Sequence, residues 1–376
     1  MRPKLIHVTT FDVSAALLLR SQLRRFAEAG FDVLVVSSPG AFAHELSSPG
    51  VRHVPVGSLA APLSPDGGLR AAAALVRLFR SERPAVVHSH DPGSAFAVGL
   101  AARVSRVPAI VQTVHGPSEQ PALEPTSRPL RADRAPLLAH HILFQTETQF
   151  RSAVRRRRGM RDRSSWIGSG VDVDRFSPGK VDGGRVAALR TRWGCGAHGR
   201  VVGTLRLPGN APAPFTGEKH GPLDGAISVV ASLGGSEHAS VTPEGAVLVG
   251  VSPDELPTVV AAFDVFVLSF DRTALPRWAL EAAAMERPVV VEGGPEEAAR
   301  KDLQGVAVRP VGAETPGRAL ARVIASPAAA AALGKAARVR VEERFNEAAA
   351  AERSVQVYRL LLKRHRIRWD GERADL

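Results

Sequence analysis

The chain reads as α/β: two doubly wound, Rossmann-like domains facing a cleft. Three observations predict this. Short apolar, β-prone runs alternate with amphipathic stretches along most of its 376 residues. One polar, Pro/Gly-rich stretch, "GVDVDRFSPGKVDGG" (170–184), interrupts the alternation near the middle. The length exceeds one average domain and suffices for two sizeable cores.

The first domain begins with "KLIHVTT" as a buried strand, followed by "SAALLLRSQLRRFAEAG" as one amphipathic helix. Ser14 is placed to cap that helix and Gly30 to end it. "FDVLVVSSPG" supplies the next strand, which completes a β-α-β unit of a parallel sheet. The pattern continues through strand "RHVPV", helix "GLRAAAALVRLFRSER", strand "PAVVHSH", helix "GSAFAVGLAARVSR" and strand "PAIVQTVHG". After a longer segment come "HHILFQTE", the helix "TQFRSAVRRRRG" and "RSSWIGSG". The first βα loop, "TTFDVSA", has no glycine, so no dinucleotide fingerprint is present.

The second domain opens with strand "RVVGTLRL", then the Pro/Gly-rich "PGNAPAPFTGEKHGP" and a helix "LDGAISVVASL" (223–233). Strand "GAVLVGV", helix "PDELPTVVAAF" and strand "DVFVLSF" follow. Pro276 then suits the first turn of a helix "LPRWALEAAAM", where its missing N–H is no loss. Strand "PVVVEGG", the run "GVAVRP" and long Ala/Arg-rich helices complete the chain. The expected boundaries are 1–165 for the first domain, 166–182 for the linker and 183–350 for the second domain. A last helix, 351–376, is expected to pack back on the first domain. Ligands of such sheets sit beyond the carboxyl ends of the strands, so His90, His115 and the loop Asp271–Pro276 are expected at the cleft.

Composition narrows the function classes. One cysteine, Cys195, excludes an intramolecular disulfide and a Cys-based zinc site, which suits a reducing cytoplasm. No apolar stretch reaches the ~18 residues that span a bilayer, and "MRPKLIHVTT" reads as a strand rather than a signal peptide. A cytoplasmic chain, soluble or peripheral, is expected. The net charge of +12 points to an anionic partner such as nucleotide phosphates or a membrane surface. Nucleic acid is excluded by the scarcity of aromatics, 5% with one Tyr, and the lack of basic–aromatic stacking motifs. The run "RRRRGMRDR" (155–163) together with Arg24, Arg25, Arg77, Arg80 and Arg83 is expected to make a cationic face for anionic lipid.

Several of these stretches resemble a known family. "WIGSGVDVDRFSP" (166–178) looks like the inter-domain signature of the retaining nucleotide-sugar glycosyltransferases of family 4, which have the GT-B fold. "PAVVHSHDPGSAFAVGLAARVSRVPAIVQTVHG" (84–116) is similar to the second half of their acceptor domain, and "LPRWALEAAAMERPVVV" to their donor-site helix. The resemblance implies that Arg206 and Lys219 hold the donor diphosphate, and that Glu281 accepts hydrogen bonds from the ribose. The backbone at Val251 would read the nucleobase. His115 and the loop Thr273, Ala274, Leu275 would meet the transferred sugar, with His90 and Asp91 on the acceptor side. Asp91 also reads as a helix cap. Neither a cofactor nor a metal is implied; the nucleotide-sugar, UDP- or GDP-linked, is a substrate. The acceptor would be a glycan, a lipid-linked molecule or a small molecule.

The sequence also departs from the family pattern. Eight residues before Glu281, where the family has a carboxylate, stands Thr273, and Ala274 takes the place of a small glycine. Losing one such charged contact costs about 2–3 kcal/mol, roughly 30- to 150-fold in rate. "LPGNAPAPFT" lengthens the phosphate loop, and only "GGSEHASVTPE" stands where the family has a further strand and helix, so the second domain reads as trimmed. Two function classes follow: a metal-independent hexosyltransferase, or a pseudo-glycosyltransferase serving as partner or scaffold of an active transferase. A sugar-nucleotide epimerase on the same architecture fits the acceptor half less well.

Overall fold

The computed structural model describes residues 2–60, 65–115, 138–157, 159–196, 198–206, 226–233, 239–242, 245–269, 276–292, 305–308 and 315–367. They divide into two compact units: Met1–Ser169 with Glu347–Leu376, and Gly170–Asn346.

The first unit carries strands β1 (Lys4–Val8), β2 (Asp32–Ser37), β3 (Val51–Pro55), β4 (Val86–Ser89), β5 (Ala109–Val114), β6 (His141–Phe144) and β7 (Ser164–Trp166). Its helices are α1 (Asp12–Leu18), α2 (Arg20–Glu28), α3 (Pro65–Glu82), α4 (Pro92–Val104) and α5 (Glu147–Arg156). The sheet is parallel throughout, in the order β3-β2-β1-β4-β5-β6-β7. Both faces are buried, which is why its strands are continuous Val/Ile/Leu runs. Leu5, Val33, Val35, Val86 and Val111 face α2, with Phe26 and Tyr358 in the same core. Their neighbours Ile6, Leu34, Val36 and Val87 pack instead with Leu75, Phe79, Val98 and Ala101 of α3 and α4. Adjacent residues thus serve opposite cores, as the two-residue period of a strand requires.

The second unit carries α6 (Gly183–Arg192), β8 (Arg200–Arg206), β9 (Ala226–Leu233), β10 (Ser240–Val241), β11 (Val247–Val251), α7 (Leu256–Ala261) and β12 (Val265–Ser269). After these come α8 (Pro276–Ala284), β13 (Val289–Glu292), β14 (Ala307–Val308), α9 (Pro316–Ala325) and α10 (Pro327–Arg344). Its sheet has the order β10-β11-β9-β8-β12-β13-β14, and only β10 runs antiparallel. The last described helix, α11 (Glu347–Arg364), returns to the first unit and packs on α2. Its first residue, Glu347, is buried and accepts from Ser21 Oγ and, at 3.2 Å, from Gln22 Nε2.

Three local expectations are corrected. Of the stretch 223–233, expected as a helix, residues Ala226–Leu233 form β9, held between β8 and β11. "AISVVASL" is an apolar run with three β-branched residues and no helical period, and burial from Val229 to Leu233 decides for a strand. The single helix expected after β1 is broken at Leu19 into α1 and α2. Ser14 lies inside α1 and does not cap it; Asp12 opens the helix, its carboxylate accepting from Val13 N at 2.8 Å and Phe42 N at 2.7 Å. Gly30 ends α2 as expected, at φ +95°, a conformation that favours glycine.

In each sheet the strand order reverses once, between β1 and β4 and between β8 and β12. Loops leaving the carboxyl ends of such a pair diverge and leave a crevice, the usual ligand position in α/β sheets.

Candidate functional site

In the first unit the crevice is marked by histidines. His88 and His90 sit at alternate positions at the end of β4, so both face the α2/α11 side of the sheet. His7 of β1 is the register partner of His88, and its ring stacks on Phe26 at 5.0 Å and 12°. His115 directly follows β5. His7 Nδ1 lies 2.8 Å from His90 Nε2, and His90 Nδ1 lies 3.0 Å from His115 Nε2. His88 is bound on both sides by hydroxyls, Tyr358 Oη at 2.6 Å from Nδ1 and Thr113 Oγ1 at 2.7 Å from Nε2.

His7, His88 and His90 are 0%, 2% and 4% exposed. Burial disfavours their charged forms. It draws His7 down to about 3, and holds His88 and His90 well below the ordinary histidine value, with neighbouring imidazoles adding to the effect. Burial likewise pushes the Tyr358 hydroxyl well above its usual value. All four groups are neutral at pH 7. One nitrogen from each of His7, His88 and His90 lies within 4.8 Å of the others, a spacing a metal ion can accept. Both nitrogens of His88 and of His90 are, however, already in hydrogen bonds, so an ion would have to break them. The arrangement is a hydrogen-bonded imidazole cluster.

Asp91 is the N-cap of α4: its Oδ1 accepts from Ser94 N at 2.9 Å and from the Thr10 hydroxyl, while Oδ2 accepts from Thr10 N at 2.7 Å. The carboxylate ties the loop after β1 to the start of α4 across the β1/β4 reversal. The capping reading accounts for the bond from Ser94 N, whereas the two from Thr10 are a tie between loops that capping does not explain.

In the second unit, Arg206 is the last residue of β8, at the β8/β12 reversal, and Val251 the last of β11, so both lie at carboxyl ends of parallel strands. Val251 is 6% exposed, and Ser252 after it begins a capping box with Glu255. Glu281 lies in α8, the helix that follows β12, and is 3% exposed. Arg277, one turn earlier, donates from Nε to Glu281 Oε1 at 2.8 Å. Oε2 is buried and has no hydrogen-bond partner among the described residues. Burial raises the Glu281 pKa, opposed by the charge and hydrogen bond of Arg277 and by the charge of Arg175. Lys219, Thr273, Ala274 and Leu275 lie outside the described residues.

The structure thus brings His90 and His115 together, and places Arg206 and Val251 along one sheet edge. Sequence reasoning missed His7, His88, Thr113, Tyr358 and Arg277. The alternation in "HSH" and in "LIHVT" was a signal for one shared strand face, and Arg277 at i−4 from Glu281 was a readable helical pair.

Comparison with known proteins agrees with this architecture. The model of Glycosyltransferase Family 4 matches residues 15–175. None of the curated protein sequences matches. Among solved structures, sucrose-phosphate synthase from Thermosynechococcus elongatus is similar at TM-score 0.66 and 18% identity, over 96% of this chain and all of that one. A glycosyltransferase from Rickettsia africae ESF-5 gives 0.64 and 15%, over 96% and 99%. UDP-GlcNAc 2-epimerase from Neisseria meningitidis, solved bound to UDP-GlcNAc, gives 0.63 and 12%, over 96% and 100%. Identities this low speak to fold alone. The chain has a family 4 glycosyltransferase-like GT-B fold, and its residues 15–175 match that family's own model.

Proposed function

We propose that this protein transfers a hexose, with retention of configuration, from a UDP- or GDP-linked donor to a glycan, lipid-linked or small-molecule acceptor. The observation that carries the proposal is the Glu281 carboxylate. It is buried on the helix after β12, with Oε1 held by Arg277 and Oε2 still able to accept. A ribose hydroxyl is a donor of the right kind. Arg206 and Lys219 would hold the diphosphate and take up the charge that grows on it as it leaves, which makes a metal unnecessary. The main chain at Val251 would meet the nucleobase. His115 and the stretch Thr273, Ala274, Leu275 would contact the sugar, and His90 would act on the acceptor side through His115. Asp91 would hold the loop of Thr10 in place there. In the transfer, the bond from the anomeric carbon to the diphosphate oxygen breaks as the acceptor oxygen bonds that carbon on the same face. The acceptor proton passes to the leaving diphosphate, so no protein base is required.

A second reading, a pseudo-glycosyltransferase that supports an active transferase, is favoured by Thr273, by Ala274 and by the lengthened loop after Arg206. Release of nucleotide from UDP- and GDP-hexoses, measured for the wild type and for Thr273→Glu, separates the two. Turnover that rises in the variant supports a weakened transferase. Absence of turnover in both, with nucleotide still bound, supports the pseudoenzyme.

No described helix is long and apolar enough to cross a membrane. We propose peripheral contact with anionic lipid, with one change from the sequence expectation. Arg24 and Arg25 are on α2, on one side of the sheet, whereas Arg77 and Arg80 of α3 are on the other, where the core of α5 also lies. The lipid-facing side would therefore be that of α3 and α5, with exposed Arg77, Arg80, Arg155 and Arg156. Sedimentation with anionic but not neutral vesicles, weakened by salt, is the expected result; salt-insensitive binding would refute it.

A further inference from the structure

Arg277 stands where helix physics disfavours a cation. It is the second residue of α8, beside the positive end of the helix dipole, where acidic residues are the stabilising choice. Its partner Glu281 lies one turn toward the carboxyl end, the weaker of the two orders for an i,i+4 pair. The two side chains are only 14% and 4% exposed, on a helix whose Trp278, Leu280, Ala282 and Met285 are buried as well. A buried ion pair gains little over apolar residues of the same volume, because both charges are stripped of water. Neither the helix nor the core accounts for Arg277, and rules broken in this way point to a site.

The Glu281 carboxylate does account for it. Burial favours the protonated form of that group and raises its pKa; the charge and hydrogen bond of Arg277 oppose this first, the charge of Arg175 after them. The other charged groups near α8 are engaged elsewhere. Arg338 of α10 donates to Ala284 O and pairs with Glu342, and Glu255, ahead of α7, is bound to Ser252. The guanidinium stays protonated and is planar, so the 2.8 Å bond from Nε to Oε1 fixes the carboxylate in orientation as well as in charge. Oε2 is left without a partner among the described residues. Protonation of Glu281 would turn that oxygen from an anionic acceptor into an O–H.

We infer that Arg277 is a positioning residue of the nucleotide site: its guanidinium keeps the buried Glu281 carboxylate ionised, with Oε1 on Nε, so that Oε2 meets the ribose as an anionic acceptor. The ribose rests on the proposed transferase reading, whereas the state of Glu281 belongs to the second unit and is read without ligand. The consequence is a pH dependence of known sign. Nucleotide affinity is present above the folded pKa of Glu281 and is lost as the pH falls through it. Removal of Arg277 takes away the largest influence opposing burial, so the loss moves to higher pH.

The test follows the Glu281 carboxyl carbon by 13C spectroscopy in the full chain labelled at glutamate Cδ, without ligand, with the signal assigned from Glu281→Gln. The wild type should be ionised at pH 7.5. Arg277→Met keeps an unbranched stem but no charge, and should raise the titration midpoint by about one pH unit or more. Arg277→Lys restores a cation without the planar fork and should recover part of that displacement. A wild-type Glu281 still protonated at pH 7.5 would overturn the inference, as would an unchanged midpoint in Arg277→Met. Should that variant not fold, the wild-type spectrum and the pair Arg277→Met/Glu281→Met still decide. The double variant should unfold at or above the wild-type temperature; one clearly below it would return the pair to the fold and overturn the inference. Calorimetric titration with UDP reads the consequence, since the phosphate titration of UDP is common to all the proteins. The pH at which affinity is lost should rise in Arg277→Met together with the carboxyl midpoint, and an affinity profile that stays put would overturn the role. Failure of UDP to bind any of the proteins counts against the transferase reading, while the carboxyl titration still decides the state of Glu281.

Discussion

Mild acid should destabilise the first unit well before its carboxylates titrate. His7, His88 and His90 are buried and neutral in the folded chain, all with lowered pKa. In the unfolded chain each returns to about 6.5. The unfolded state therefore binds more protons below that pH, and stability present above pH 6.5 is lost as the pH falls toward the folded values. At pH 5.5, one unit below the unfolded pKa, each histidine favours unfolding by roughly 1–2 kcal/mol, and the three together by about 4 kcal/mol. That sum depends only on the native rings staying unprotonated, not on how far each is shifted. His141, drawn down to about 4 by burial and by Arg364 and Arg163, acts in the same direction. Against a typical domain stability of about 5–15 kcal/mol, the loss is large. The assay uses the sole tyrosine, Tyr358, which is buried in the first unit against His88. With 3-fluorotyrosine at that position, urea titrations at pH 7.5, 6.5 and 5.5 follow this unit by one fluorine signal. The midpoint should fall by the equivalent of about 1 kcal/mol between pH 7.5 and 6.5, and by about three times as much between 6.5 and 5.5. A midpoint equal at pH 7.5 and 5.5, or higher in acid, would refute the buried-neutral assignment.

Two glycines in the second unit offer further tests. A Cβ on Gly203 of β8 would sit far inside van der Waals contact with the Phe263 ring, itself fully buried. Gly203→Ala should lower stability by about 1–3 kcal/mol in thermal unfolding, and a change under 0.5 kcal/mol would contradict the packing. In α10, a Cβ on Gly334 would collide with the backbone carbonyl of Glu286, where no side chain can swing away. Gly334→Ala should cost at least as much as Gly203→Ala, measured the same way; the reverse order would show that the α8–β13 turn yields easily.

Much of this architecture was readable because period and punctuation agreed. In β1, β2 and β4 the apolar runs are short and the intervening helices carry one apolar stripe, so the β-α-β order followed directly. "AISVVASL" does not read as a strand from sequence alone because its apolar residues, interrupted only by Ser228 and Ser232, follow neither period, and only its place between β8 and β11 settles it. The candidate site was legible in type but not in connection. His90 and His115 could be placed at strand ends from sequence, yet His7 is 83 positions from His90 and enters the cluster only through the β1–β4 pairing. Asp91 could be read as a cap, but its hold on Thr10 depends on the strand order. Glu281 could be placed on a helix after a strand from Pro276 alone. Its open Oε2 is a matter of burial, which local sequence does not encode.

The central claim is that the second unit holds a nucleoside diphosphate with its ribose on Glu281, and calorimetric titration with UDP and GDP tests it most directly. One of the two should bind the wild type in the micromolar range. Glu281→Ala should weaken that binding roughly 10- to 150-fold, the worth of one charge-assisted hydrogen bond, while thermal unfolding shows the variant still folded. Absence of binding by both nucleotides, or equal affinity in a folded Glu281→Ala, would contradict the account.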